Sequence, residues 1–207
     1  MTIELACFDL EGVFVPEIWV NVAERTGIAD LRLTTRDVAD YGELMAHRLR
    51  VLDEHDLRLS DVTDVIATLA PLPGAAEALN WARERFAGVV ILSDTFTQFA
   101  KPLMAQLGWP TLFCHELEIS ADDRIVGWRL RRPNQKYEAV RAFQNLGFRV
   151  IAAGDSYNDT AMLEAAQAGI LFDPPDTVVA EFPQFPVARG YDQLRSALAE
   201  ASINGLD

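Results

Sequence analysis

Five short apolar runs punctuate the chain: IELACFD (3–9), AGVVILSD (87–94), PTLFC (110–114), FRVIAAGD (148–155) and AGILF (168–172). Their Val, Ile, Leu and Phe content is that of strands covered on both faces. Between them the helical period recurs in GAAEALNWARERF (74–86), KYEAVRAFQNLG (136–147) and DTAMLEAAQAG (159–169). The last two close on a glycine, Gly147 and Gly169, placed to take a left-handed C-cap. LEISADDRIVGWRLR (117–131) reads instead as a β-hairpin around ADD. The alternation predicts an α/β protein with a doubly wound, mostly parallel sheet.

One region breaks the pattern. Residues 16–72 contain no good buried strand, only amphipathic helical segments such as ELMAHRLRVLDEH and LSDVTDVIATLA, and the region ends at the rigid turn PLPG. It reads as a helical cap inserted after the first strand, with residues 1–15 and 73–207 forming the core.

Composition narrows the classes. A chain of 207 residues that is 50% hydrophobic can bury a sizeable core. No apolar run approaches the roughly 18–20 residues of a membrane span, and MTIELACFDL lacks the features of a signal peptide, so a cytoplasmic protein without membrane contact is expected. A net charge of −13 repels nucleic acid. Two cysteines and three histidines, none at paired metal-ligand spacing, argue against a zinc site or a histidine-based triad.

In open parallel sheets ligands bind beyond the carboxyl ends of the strands. Three of these ends are rich in carboxylates, hydroxyls and amides: Asp9-Leu10-Glu11-Gly12, Ser93-Asp94-Thr95, and Gly154-Asp155-Ser156-Tyr157-Asn158-Asp159. One such loop alone is explained by helix capping. Capping does not call for Asp9, Glu11, Asp155 and Asp159 on adjoining ends, where unpaired like charges repel. A hard cation with oxygen ligands relieves that repulsion, and Mg2+ is the natural candidate. Lys136 adds a further signal. The chain has sixteen arginines but only two lysines, and Lys136 opens a predicted helix. The helix dipole disfavours a cation there by about 0.3–1 kcal/mol, which points to a local anion.

The set DLEG (9–12), LSDT (92–95), Lys136 and GDSYND (154–159) resembles the haloacid dehalogenase superfamily of phosphohydrolases, in that family's order. Within it, the helical insertion and the GDSYND spelling are similar to the phosphoserine phosphatases. DLEGVFVPEIW, RLRVLDEH and EFPQFP are similar to the bacterial members that also transfer phosphate to homoserine. The resemblance implies hydrolysis of O-phosphoserine through an aspartyl-phosphate on Asp9, with Glu11 protonating the leaving oxygen and then deprotonating water. It implies magnesium ligands from Asp9, the Glu11 carbonyl and Asp155, with Asp159 holding a coordinated water or orienting Asp155. Ser93, the Asp94 N–H and Lys136 would hold the phosphoryl oxygens. Glu17 would receive the substrate ammonium and Arg48 its carboxylate, with Asn158 in support and Arg50 as the rival to Arg48.

Two departures from the family pattern stand out: Glu11 replaces the usual Asp, and Val13 replaces a common Thr or Ser. Both match the phosphotransferring members. Phosphatases of other small metabolites remain an alternative. A cysteine phosphatase built on Cys7 is disfavoured, because DLEGVFV supplies carboxylates where a thiolate needs an arginine-rich loop. A phospho-accepting signalling domain is disfavoured by Glu11 and the cap, neither of which it needs.

Overall fold

The computed structural model describes residues 2–34, 37–38 and 40–205. In chain order it comprises β1 (Glu4–Phe8), α1 (Ile18–Thr26), α2 (Tyr41–Glu54), α3 (Leu59–Ala67), α4 (Ala75–Arg85), β2 (Gly88–Phe96), α5 (Thr97–Gln106), β3 (Thr111–Ile119) and β4 (Ile125–Arg129). There follow α6 (Gln135–Asn145), β5 (Arg149–Gly154), α7 (Thr160–Ala165), β6 (Ala168–Phe172), α8 (Asp176–Glu181), β7 (Val187–Ala188) and α9 (Gly190–Ala201). The strands form one sheet in the order β4-β3-β2-β1-β5-β6-β7, parallel throughout except for the β3–β4 pair.

Both faces are covered, which is why the strands read as unbroken apolar runs. Along β1 the side chains alternate, Ala6 and Phe8 entering one apolar cluster and Leu5 and Cys7 the other. Cys7 is fully buried, and burial pushes its thiol up to about 12, so it is core and not a nucleophile. Between β1 and α4 the described residues hold helices and no strand of the sheet. None of the described helices is long and apolar enough to cross a membrane.

Three local expectations change. PTLFC and the first arm of the hairpin are one continuous strand, β3, which pairs with β2 on one edge and then with β4 on the other. The helix expected to reach Gly169 stops at Ala165. Gly169 lies inside β6, where a Cβ would sit 2.6 Å from the Leu163 carbonyl oxygen, so its job is close helix–strand approach. Gly147, by contrast, does take the left-handed conformation after α6. Helix α5 follows β2 without a loop and carries Pro102 inside it, which hid it from pattern reading.

The chain leaves β1 toward β2 on one side and places β5 on the other. The carboxyl ends of β1 and β5 therefore flank the point where strand order reverses.

Candidate active site

Asp9 extends β1 by one residue, its N–H donating to the Ala153 carbonyl at 3.0 Å. The chain then turns sharply. Gly12 sits at φ +76°, and a Cβ there would lie 2.6 Å from the Asp155 carboxylate, so only glycine lets this loop approach the end of β5. Asp9, Asp155 and Asp159, all buried, each offer a carboxylate oxygen within 4.8 Å of the others.

Lys136, in the first turn of α6, reaches into this cluster. Its Nζ lies 2.8 Å from Asp159 Oδ1, 3.0 Å from Asp9 Oδ1 and 3.6 Å from Asp94 Oδ2. Asp159 also shapes the loop: its Oδ2 accepts the N–H groups of Asp155 at 2.9 Å and Ser156 at 3.1 Å. Burial pushes the Asp9 carboxyl well above the usual range, and Asp159 and Asp155 push it further against the opposing pull of Lys136. Burial would lower the Lys136 ammonium, but Asp159, Asp9 and Asp94 together raise it well above its ordinary value. One ammonium faces three carboxylates, and two of these, Asp9 and Asp159, lie with the buried Asp155 within reach of a single ion. That donor set suits a hard divalent cation.

Glu11 points toward the helical insertion. Its Oε2 accepts the N–H of Ile18, the first residue of α1, at 2.8 Å. Burial, then the neighbouring Glu17, pushes its carboxyl up to about 7, partly opposed by that N–H, Arg48 and Lys136. The longer side chain is thus anchored by an open N–H at a helix terminus, and Val13 is simply buried core.

Arg48 lines the same pocket, 6% exposed, its Nη2 donating to the Leu33 carbonyl at 2.8 Å and its guanidinium 4.6 Å above the Trp19 ring. Its Nε is the buried side-chain nitrogen without a hydrogen-bond partner among the described residues. Arg50 is exposed and does not line the pocket. Glu17 is exposed at its rim.

One pocket gathers Asp9, Glu11, Glu17, Arg48, Ser93, Asp94, Lys136, Asp155 and Asn158, with Asp159 buried behind Lys136. Asn158 lines the pocket at its exposed edge. Its amide donates to Asp94 Oδ2 at 3.0 Å, so it braces that side chain from the rim. Burial alone would raise the Asp94 carboxyl; Lys136 and the hydrogen bonds from His115, Asn158 and Gln135 hold it well below the carboxylate range.

Sequence reasoning missed the brace behind Asp94. His115 is buried, its Nδ1 accepting the Arg131 N–H at 3.1 Å and its Nε2 facing Asp94 Oδ1 at 3.5 Å. Gln135 donates to the Ser93 carbonyl and lies 3.3 Å from Asp94 Oδ1. Tyr41, Trp19 and Thr34 also line the pocket. Gln135 carried one readable signal, its place beside Lys136 at a helix start facing the strand ends.

A family model described as haloacid dehalogenase-like hydrolase matches residues 3–167. The chain is 59% identical to the phosphoserine phosphatase ThrH of Pseudomonas aeruginosa over 98% of both chains. It is 58% identical to a phosphoserine phosphatase of Pseudomonas syringae pv. tomato, over 97% of this chain and 84% of that one. A solved structure described as a phospho-aspartyl intermediate analogue of phosphoserine phosphatase shares the fold, with a TM-score of 0.75 at 20% identity, covering 96% of this chain and 98% of that one. With its strand-end carboxylates, the lysine among them and the matching family model, the chain belongs to the haloacid dehalogenase-like hydrolases.

Proposed function

We propose that the chain is a magnesium-dependent phosphoserine phosphatase that forms an aspartyl-phosphate on Asp9 and can pass the phosphoryl group to homoserine as well as to water. The observation that carries this reading is a single pocket lined by two chemistries. Buried carboxylates with Lys136 line it together with the buried Arg48, whose Nε has no hydrogen-bond partner among the described residues. The similarity to the two Pseudomonas phosphoserine phosphatases supports the substrate.

In this reading the Asp9 carboxylate attacks phosphorus while the bond to the seryl oxygen breaks, and Glu11 gives that oxygen its proton. Glu11, now an anion, takes a proton from water, whose oxygen displaces Asp9 from phosphorus. Ser93, the Asp94 N–H and Lys136 hold the phosphoryl oxygens throughout. Asp9, the Glu11 carbonyl, Asp155 and Asp159 would hold magnesium, which when bound supplies positive charge where two anions must meet. Residues 16–72 act as a cap over a core of 1–15 and 73–207. The cap reads the zwitterion, Glu17 taking the ammonium and Arg48 the carboxylate through its planar fork.

Homoserine differs from serine by one methylene, so the pocket vacated by serine can hold it with its hydroxyl near Glu11. A bound alcohol then competes with water by proximity.

Phosphorus NMR of the enzyme with phosphoserine tests these points together. Magnesium alone gives inorganic phosphate; excess EDTA stops turnover and added magnesium restores it; homoserine adds a phosphohomoserine signal. Asp155→Asn shifts the magnesium dependence to higher concentration. Full activity in EDTA overturns the metal assignment, and inorganic phosphate as sole product at saturating homoserine overturns the transfer. No turnover of phosphoserine while another small phosphate is hydrolysed overturns the substrate.

A further inference from the structure

The end of β2 is held in an unusual way. Its ladder with β1 runs as far as the Phe8–Ile91 pair, and its ladder with β3 breaks after Leu92 and resumes only at Phe96. The peptide groups of residues 93–95, which carry the phosphoryl-holding groups, thus lie in the gap of both ladders. Carbonyls in such a place need other donors. The Ser93 carbonyl takes the Gln135 amide, from the core. The Asp94 carbonyl takes the Tyr41 hydroxyl at 2.9 Å, from the helical insertion.

Tyr41 is the first residue of α2, and Arg48 follows two helical turns later on the same face. Both line the pocket. The Tyr41 ring also stands edge-on to His115, the residue facing the Asp94 carboxylate, at 6.1 Å. At the other end of α2, Asp53 and Asp56 pair with Arg124 in the β3–β4 turn, at 2.9 and 2.6 Å. All three are at the surface, where such pairs contribute little. The better-shielded fastening of α2 to the sheet is therefore the Tyr41 hydroxyl. Burial, then the Asp94 charge, raises that phenol, so it stays a donor across the working pH range.

We infer that Tyr41 is a positioning residue that latches α2 onto the end of β2, fixing Arg48 at the distance from the phosphoryl site that an α-amino acid phosphate requires. This deepens the proposed substrate reading and rests on it. A substrate that engages both Arg48 and the phosphoryl-holding groups depends on the latch. One that never touches Arg48 depends on it less.

The test compares phosphoserine with 2-aminoethyl phosphate, the same ester without its carboxylate. Tyr41→Phe removes only the hydroxyl. It is expected to lower kcat/KM for phosphoserine about five- to tenfold, mostly through KM, as loss of one hydrogen bond of ordinary net strength does. The ratio of kcat/KM for phosphoserine to that for 2-aminoethyl phosphate falls about threefold or more. In an Arg48→Ala background the same substitution leaves that ratio where Arg48→Ala alone put it, because the two residues act as one unit. A parallel loss on both substrates, an unchanged ratio, or an equal drop in the Arg48→Ala background overturns the inference while phosphoserine turnover by the wild type stands. A wild type that does not turn over phosphoserine overturns the substrate reading and the latch with it.

Discussion

Asp9→Asn is expected to abolish turnover, lowering kcat by about 10⁴-fold or more, while leaving a fold at least as stable as the wild type. The rate falls because the amide keeps the shape of the side chain and removes the attacking anion; loss of a nucleophile in other enzymes costs roughly 10⁴- to 10⁶-fold. Stability holds for a different reason. Burial and the charges of Asp159 and Asp155 push the Asp9 carboxyl well up, so the ionised form is held in the fold at a cost. A neutral amide removes that cost, the usual relation between a strained site and its function. Thermal denaturation in EDTA should show a Tm equal to or above that of the wild type. Phosphoserine hydrolysis within tenfold of the wild-type rate would contradict the assignment.

Lys136→Met is expected to damage both rate and fold. The residue is 3% exposed, and its ammonium contacts Asp159, Asp9 and Asp94. Removing it leaves those carboxylates without their common cation, and breaking a buried ion pair from one side costs about 3–5 kcal/mol. Methionine fills much of the volume, so the loss is electrostatic and not a cavity. The cost measured by urea unfolding should therefore shrink when magnesium replaces EDTA, because a bound cation meets part of the same charge. Turnover should fall by about 10³-fold, the scale of losing one group that holds developing charge. A variant equally destabilised in magnesium and EDTA would show that the lysine and the metal site are not electrostatically linked.

The strand-end chemistry was legible because it follows from a general rule. Parallel strands buried on both faces confine polar residues mostly to their ends, and ligands bind at the carboxyl ends, so Asp9, Ser93 and Asp155 stood out against apolar runs. Arg48 was favoured over Arg50 by the family resemblance alone, though the helical period also separates the two residues. Leu44, Met45, Val51 and Leu52 share the buried face of α2 with Arg48, whereas Arg50 falls on the exposed face. Other features depend on contacts between segments distant in the chain. Tyr41 matters because β2 loses its ladder partners after Leu92, and no local pattern announces a break in register. His115 looked unremarkable as an isolated histidine, yet tertiary packing sets it against Asp94. Gly169 was misread because local glycine rules favour a helix cap, while the close approach of Leu163 decides its place in β6. Glu11 was recognised as unusual for its length. Its anchor, the Ile18 N–H, is a contact made only once α1 has packed.

The central claim is that Asp9 carries the phosphoryl group and Glu11 serves both half-reactions. Glu11→Gln with p-nitrophenyl phosphate separates the two steps, because p-nitrophenolate leaves without a proton whereas water still needs a base. Rapid mixing should give a burst of about one p-nitrophenolate per chain followed by slow turnover. Mass spectrometry of the quenched protein should then place the phosphoryl group on Asp9. The absence of a burst, or a phosphoryl group on Ser93 in place of Asp9, would contradict the account.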